Sequence, residues 1–268
     1  MGIPKIIHYC WFGGNELSER AAECIDSWRR FCPDYEIREW NEQNYDVSRV
    51  PYIRDAYKEK KWAFVSDYVR LDVVYRYGGI YLDTDVELIK SLSFFEDQML
   101  FMAMEKQNSY INTGLGFGAV AGNEKIRQLR EVYHRLSFYR EDGSLNLVAC
   151  PKYTTDFFVK WGFQVKDITQ KCGEAIIYSS EYFCPMDYNT GKINITKNTY
   201  GIHWYEASWF PESDKKIHEM ELRIRKKYSD NVAGLFCIIY RNGYRFFEYL
   251  KKGVLLKRIR EKIQNHNT

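Results

Sequence analysis

The clearest pattern of apolar and polar positions in the chain covers residues 62–77. Two apolar stripes recur there at helical spacing: Phe64, Tyr68, Leu71 and Tyr75 form one, and Val65, Val69 and Val73 form the other. A helix that is apolar over most of its circumference is buried. Yet Asp67 and Arg70 share one arc of this helix, and buried charges need partners. The pattern therefore predicts a buried helix with a charged edge, ended by Gly78 and Gly79.

Shorter patterns predict the elements around this helix. Strand patterns cover residues 5–11, 35–40, 99–105, 176–183 and 200–204, and helical patterns cover residues 17–31, 123–139 and 154–161. The strand–helix–strand order at the start favours an α/β domain with a mainly parallel central sheet flanked by helices. Residues 107–118, with three spaced glycines, predict a loop. We expect one α/β domain over residues 1–211 and a helical extension over residues 212–268.

Two carboxylates, Asp83 and Asp85, follow a Gly-Gly turn and a short apolar run. If the run is a strand that continues through them, side chains at i and i+2 point to one face. Two converging carboxylates normally share a proton or hold a cation, and Mg²⁺ or Mn²⁺ in such sites often bridges to phosphates. Taken alone, the motif equally fits two acids in a surface turn, and Asp67 with Arg70 fits a local ion pair.

Cysteine usage and apolar run lengths bear on the compartment. The seven cysteines are odd in number and contain no CxxC pair, which excludes a zinc frame of that type and a dense disulfide scaffold. The longest apolar run is too short to span a bilayer, and the start of the chain has no signal-peptide pattern. We expect a cytoplasmic protein.

The end of the chain differs in charge. Residues 241–268 carry a net charge of +6, against −3 for the rest, and apolar residues recur through them at helical spacing. A basic amphipathic helix can lie on an anionic membrane, or it can dock on its own domain with its lysines solvated; the pattern leaves both open. Nucleic acid is not an expected partner, because no recognition motif accompanies the charge.

Three ordered segments, residues 3–13, 66–85 and 203–209, together resemble glycosyltransferase family 32. The family's signature is similar to Ser66-Asp67-Tyr68-Val69-Arg70 followed by Tyr77-Gly78-Gly79-Ile80-Tyr81-Leu82-Asp83-Thr84-Asp85. It includes bacterial capsule and polysaccharide enzymes and a yeast mannosyltransferase, and it is related to the catalytic domains of the clostridial glucosylating toxins. The resemblance spans most of the chain.

The resemblance implies a GT-A fold over residues 1–211, a nucleotide-sugar donor and Mn²⁺ or Mg²⁺ as cofactor. By position, Asp85 would bind the metal directly, and Asp83 would hold the donor's ribose or sugar and share the metal. Asp67 and Arg70 would hydrogen-bond the transferred sugar. These four residues form the expected catalytic group.

The resemblance also assigns residues outside this group. Trp11 would lie against the nucleotide base and Asn112 near the sugar, although taken singly the first fits a core aromatic and the second a turn residue. His203 and Ser208 would reach the metal or diphosphate, with Trp209 beside the phosphate. The toxins have a carboxylate where His203 stands, so Glu206 is a competing ligand.

We therefore expect a metal-dependent, retaining glycosyltransferase that moves a hexose to a glycan acceptor in bacterial surface polysaccharide synthesis. The acceptor is expected to be free or lipid-linked, with the basic end of the chain on the inner membrane face. Glu105 and Glu206 are candidate nucleophiles, although a front-face mechanism needs none. The alternatives are a nucleotidyltransferase that makes a nucleotide sugar, and a catalytically silent sugar-binding module.

Overall fold

The computed structural model describes residues 2–206, 212–228 and 230–251. The chain divides into two compact units, the first formed by residues 1–188 and 192–209 and the second by residues 189–191 and 210–268. The boundary expected after residue 211 falls next to residues 207–211, which lie outside the described part, and it stays a prediction.

Strands and helices alternate at the start of the first unit and then follow one another in groups of like elements. In chain order they are β1 (Ile6–Cys10), α1 (Glu19–Phe31), β2 (Glu36–Trp40), α2 (Pro51–Lys58), α3 (Trp62–Tyr77), β3 (Gly79–Tyr81), β4 (Val86–Leu88), β5 (Leu100–Ala103), β6 (Phe117–Ala119), α4 (Glu124–His134), α5 (Cys150–Val159), β7 (Gln170–Cys172), β8 (Ala175–Tyr178) and β9 (Gly201–His203). The second unit contains α6 (Glu212–Lys227) and α7 (Asp230–Lys251).

Seven strands form the central sheet in the order β2-β1-β3-β6-β5-β8-β7. Strands β2, β1, β3, β5 and β8 run in one direction. Strand β6 lies between β3 and β5 and is antiparallel to both, and β7 is antiparallel to β8 at the edge. The predicted α/β domain, with a mainly parallel sheet flanked by helices, is confirmed.

Helix α3 has the bounds that its apolar stripes predict, and nearly all of its side chains before Tyr75 are buried. It ends at Gly78, whose φ of 66° lies in the left-handed region and whose N–H donates to the Val74 carbonyl at 2.9 Å. A β-carbon at Gly78 would lie 2.8 Å from the Ala121 nitrogen, so glycine is required there for space as well. The helix thus enters β3 directly, and its charged edge lies beside the residues that follow β3.

The two carboxylates after β3 are not in a strand, so the expectation that strand geometry aims them at one spot is wrong. The Val86 N–H donates to the Asp83 carbonyl at 3.0 Å, which closes a turn over residues 83–86. Asp and Thr favour turns because their short polar side chains compete for backbone groups. The chain then forms β4, which pairs antiparallel with β9 in a separate two-stranded sheet. Residues 107–118 also differ from prediction, because their end forms β6.

Candidate active site

Arg70 joins the charged edge of α3 to the turn that follows β3. Its guanidinium Nη2 lies 3.3 Å from Asp67 Oδ1 and 3.2 Å from Asp83 Oδ1. The Tyr81 ring lies 4.9 Å beneath the guanidinium, and Nε donates to the Ser66 carbonyl at 3.1 Å. The local ion pair expected from spacing is present, and it is extended by a third charged group from another segment.

Burial decides the electrostatics of this group. Burial raises the pKa of Asp67 to about 6, against the opposing effect of the Arg70 cation. Burial alone would lower the pKa of Arg70, but the Asp83 and Asp67 carboxylates and the Tyr81 ring hold that pKa well above its usual value. Arg70 is therefore a permanent buried cation. Asp83 is the exposed member, with 32% of its side chain accessible, so it faces the solvent side from which a ligand would enter.

A tight loop covers the other side of Asp83. The Asp83 N–H donates to the Gly114 carbonyl at 2.8 Å, and a β-carbon on Gly114 would lie only 1.9 Å from Asp83 Oδ2. Asn112 shapes this loop, because its Oδ1 accepts the Gly114 N–H at 2.8 Å while its Nδ2 donates to Glu105 at 3.1 Å. Asn112 therefore is a turn residue, and the turn that it holds lies against the carboxylate.

Cys150 is a site residue that the sequence reasoning missed. Its sulfur lies 3.5 Å from Arg70 Nη1 and 3.9 Å from Asn112 Oδ1, and it accepts from Thr113 Oγ1 at 3.6 Å. Its thiol and backbone N–H also face the Asp67 carboxylate. Burial raises the pKa of this thiol well above its usual value, so it stays neutral. The sequence does contain a signal for the helix that begins at Cys150, because Pro151 follows it and a proline in the first turn marks a helix start.

Asp85 belongs to a second cluster, formed with the strand β9. The register of β4 with β9 pairs Val86 with His203, and the His203 Nε2 lies 3.2 Å from Asp85 Oδ2. The same oxygen accepts the Glu206 N–H at 3.0 Å, and the Asp85 carbonyl accepts the Trp204 N–H at 2.9 Å. Burial opposes ionisation of both partners. Their mutual attraction outweighs it, so the pKa of Asp85 is lowered and that of His203 is raised well above its usual value.

The spacing of the Asp85 and His203 donor atoms fits two ligands of one divalent cation. Neighbouring ligands about 2.1 Å from Mg²⁺ at right angles are separated by about 3 Å, close to the 3.2 Å between Oδ2 and Nε2. The carboxylate suits Mg²⁺ and Mn²⁺, whereas imidazole is more typical of softer divalent ions. Asp83 contacts Arg70 and the Tyr81 hydroxyl, the latter at 2.9 Å, and its expected share in binding the metal stays a prediction. Within the described residues, no three His, Cys, Asp or Glu side chains converge as a metal-ligand set.

The remaining predicted residues lie at two places. Trp11 follows β1 and Asp83 follows β3, and since these neighbouring strands are parallel, both residues lie at the same edge of the sheet. This carboxyl edge is where open α/β sheets bind ligands. The Trp11 Nε1 donates to the Asn15 carbonyl at 2.7 Å, which fixes the ring against its own loop. Ser208 and Trp209 lie outside the described residues.

Comparison with known proteins gives one family match that covers the site. Residues 18–108 match the model of a family described as "Glycosyltransferase sugar-binding region containing DXD motif". This segment contains Asp67, Arg70, Asp83 and Asp85. Inositol phosphoceramide mannosyltransferase 3 of Schizosaccharomyces pombe is 30% identical over 123 residues, which are 43% of this chain and 33% of that protein. The chain thus spans about a third of the length of this curated relative.

Solved structures of glycosyltransferases are similar at a lower level. The PaToxG glycosyltransferase aligns with a TM-score of 0.47 and 18% identity, over 59% of this chain and 69% of that chain. A glycosyltransferase involved in the glycosylation of the major capsid of PBCV-1 aligns with a TM-score of 0.45 and 14% identity, over 75% of this chain and 94% of that chain.

Proposed function

We propose that the chain is a glycosyltransferase that transfers a hexose from a nucleotide sugar to a glycan acceptor, and the match of residues 18–108 to a DXD-containing sugar-binding region supports this proposal. The observation that carries the proposal is the contact of one buried cation, Arg70, with two carboxylates at the ligand-binding edge of the sheet. A sugar offers several hydroxyls, which donate to carboxylates and accept from a guanidinium. The Asp67–Arg70–Asp83 group presents both kinds of partner.

Different residues are proposed to bind different parts of the donor. Asp83 and Arg70 would hold the sugar or ribose, with Asp67 fixing the guanidinium from the buried side. Asp85 and His203 would hold Mn²⁺ or Mg²⁺, which stabilises the negative charge that develops on the diphosphate as the bond to the sugar breaks. To bind the ion, His203 would have to give up the proton that Asp85 favours in the metal-free site and act as neutral imidazole. Ser208 and Trp209 are proposed for the phosphate and Trp11 for the base.

Retention of configuration is part of the proposal and rests on the family resemblance. The Glu105 carboxylate accepts from Asn112, whose side chain holds the loop against Asp83, so it lies close to the sugar-binding group. The Glu206 N–H is bonded to Asp85, which ties that residue to the diphosphate end. Glu105 is accordingly the better candidate for a carboxylate beside the anomeric carbon. In a front-face reaction neither Glu105 nor Glu206 would attack the sugar, and both would act only through their charge.

Synthesis of a bacterial surface polysaccharide in the cytoplasm is the setting that we propose. All seven cysteines are buried free thiols, which suits a reducing compartment. No helix in the described ranges is both long and apolar enough to cross a membrane.

The test is turnover of a panel of nucleotide sugars with Mn²⁺, measured as release of nucleoside diphosphate and free sugar. We expect one donor to be hydrolysed, with loss of activity in EDTA and its return with Mn²⁺. Arg70→Lys should reduce turnover because lysine cannot reach two carboxylates from one planar group. Arg127→Lys is the matched control, since Arg127 forms an exposed surface pair with Glu124.

Two outcomes would overturn the proposal. Release of pyrophosphate from a nucleoside triphosphate and a sugar phosphate would make the protein a nucleotidyltransferase. Binding of a nucleotide sugar without any turnover, in wild type and Arg70→Lys alike, would make it a silent binding module. The anomer of the transferred sugar, read by NMR on the first product formed, tests retention separately.

A further inference from the structure

Helix α7 exposes one long apolar face. Leu235, Ile238, Ile239 and Phe247 are each more than half exposed, with Leu235 at 60% and Phe247 at 64%, and Val232, Phe236 and Phe246 are exposed as well. At 3.6 residues per turn these seven residues occupy about half of the circumference. Only Asn242 and Gly243 interrupt them. We call these seven residues the apolar face of α7. Exposed apolar surface of this extent marks a site of interaction.

The opposite side of α7 already has its partner within the second unit. Ala233 and Cys237 are buried, and the Cys237 thiol donates to the Glu221 carbonyl of α6. The Arg241 guanidinium forms two hydrogen bonds with the Glu221 carboxylate, at 2.6 and 2.7 Å. These contacts fix the rotation of α7 against α6. The apolar face is therefore directed away from the helix pair, and a helix that is apolar on both sides is expected to be covered on both.

The charges around the apolar face have one sign. Arg241 and Arg245 follow one border of the face, where they are paired with Glu221 and Asp214 of α6, and Lys251 lies near the other border at the end of the helix. The described part of α7 begins with Asp230, and the chain from residue 241 to its end carries a net charge of +6. A second copy of the chain would bring two such basic segments together, and residues 252–268 are themselves basic. The positive charge of this end of the chain attracts an anionic surface, whereas it repels the same charge on a second copy of the chain.

We propose that the apolar face of α7 lies on an anionic lipid surface and holds the enzyme at the membrane. No described helix can span a bilayer, so the contact is interfacial, with the apolar side chains inserted at the headgroup boundary. Lys251 then lies at the level of the lipid phosphates, and Tyr240 and Tyr244 beside it suit the same interface. The inference rests on the proposed function in one respect, because a membrane-bound transferase meets lipid-linked acceptors there.

The experiment is co-sedimentation of the full chain with vesicles of phosphatidylcholine alone and of phosphatidylcholine mixed with phosphatidylglycerol. The variant is Ile239→Gln with Phe247→Gln, because glutamine keeps helix propensity while it removes apolar area. The matched control is Ile168→Gln with Ile195→Gln, which removes two apolar side chains of similar exposure from the first unit. Donor hydrolysis without vesicles and the sedimentation coefficient are measured on all three proteins.

We expect the wild type and the control to bind the anionic vesicles and to bind phosphatidylcholine weakly. The variant should bind about tenfold or more weakly, since each lost side chain removes a large apolar contact. Equal binding by variant and wild type would overturn the proposal, and so would absence of binding by the wild type. A wild-type dimer that the variant converts to a monomer, with vesicle binding unchanged, would assign the face to a second copy instead. Hydrolysis in solution should be the same in all three, so failure of the membrane proposal is distinct from failure of the transferase proposal.

Discussion

Substitution of Gly114 by alanine should weaken sugar binding while leaving the fold intact. The added β-carbon would lie 1.9 Å from Asp83 Oδ2, 2.9 Å from its Cγ and 3.1 Å from Arg70 Nη1, whereas ordinary contact begins at 3.4 Å. Asp83 must therefore move by about 1.5 Å, because the Arg70 side of the contact is buried and the backbone of the turn is hydrogen-bonded. Gly114 does not have a left-handed φ, so the effect is one of space and not of backbone strain.

The expected magnitude follows from the contact that is lost. A movement of this size breaks the 3.2 Å approach of Asp83 to Arg70, and a hydrogen bond between charged groups contributes about 1.5–3 kcal/mol. Because Asp83 is about a third exposed, solvent screens the pair and the lower end applies. We expect kcat/KM for the donor to fall by about tenfold.

The assay is donor hydrolysis at limiting and saturating donor, with thermal unfolding followed on the same samples. Gly234→Ala is the matched control, because no atom lies within 4 Å of a β-carbon at that position and alanine favours the helix. In an Asp83→Ala background, Gly114→Ala should have little further effect, since the two changes remove the same contact. Wild-type kcat/KM in Gly114→Ala would refute the assignment of the Asp83–Arg70 contact to donor binding.

Three further predictions follow from other contacts. Cys150→Ala should raise the donor KM by about three- to tenfold with kcat nearly unchanged. Cys150→Ser should restore the wild-type KM, because the hydroxyl can again contact Arg70 and Asn112. Equal KM values in the wild type and both variants would show that the thiol only fills space. Burial lowers the pKa of His8 from 6.5 to about 4, so neutral His8 contributes its full stability above pH 6.5 and loses it as the pH falls toward 4. Urea unfolding should show a decrease of about 3 kcal/mol over this window that His8→Gln lacks, and an unchanged slope in the variant would contradict it. Asp72→Asn should destabilise the protein by about 3 kcal/mol in thermal unfolding, because the buried carboxylate accepts from Tyr45 and binds Arg130 and Arg76. The exposed control Glu124→Gln should change stability far less, and equal effects would contradict the distinction.

The parts of the fold that the sequence predicts are those with a long local pattern. Helix α3 repeats its apolar stripes over four turns, so the sequence predicts both of its ends and its charged edge. Strands β3, β4 and β6 have three residues each, which is too short for a period of two to be distinguished from a turn. The strand assumed through Asp83 and Asp85 failed for this reason, and β6 was hidden because Gly116 and Gly118 interrupt its apolar run.

The site is predictable to the extent that its residues share a segment. Asp67 and Arg70 lie one turn apart on α3, so their contact follows from the helix alone. The approach of Cys150 to Arg70 joins residues 80 positions apart, and the pairing of β4 with β9 joins residues more than 100 apart. No local pattern encodes such distances, and the family resemblance supplied His203 where periodicity could not.

The turn over residues 83–86 gives its two aspartates different dependencies. Asp83 is held by a helix and a loop from the centre of the domain, while Asp85 is held by a strand near the end of the first unit. The two aspartates are two residues apart in sequence, but their positions depend on different segments, which can vary separately. With the donor roles proposed above, changes around Gly114 would alter sugar binding while Asp85 and His203 keep their spacing. Changes in residues 201–206 would alter the proposed diphosphate contacts without moving Asp83.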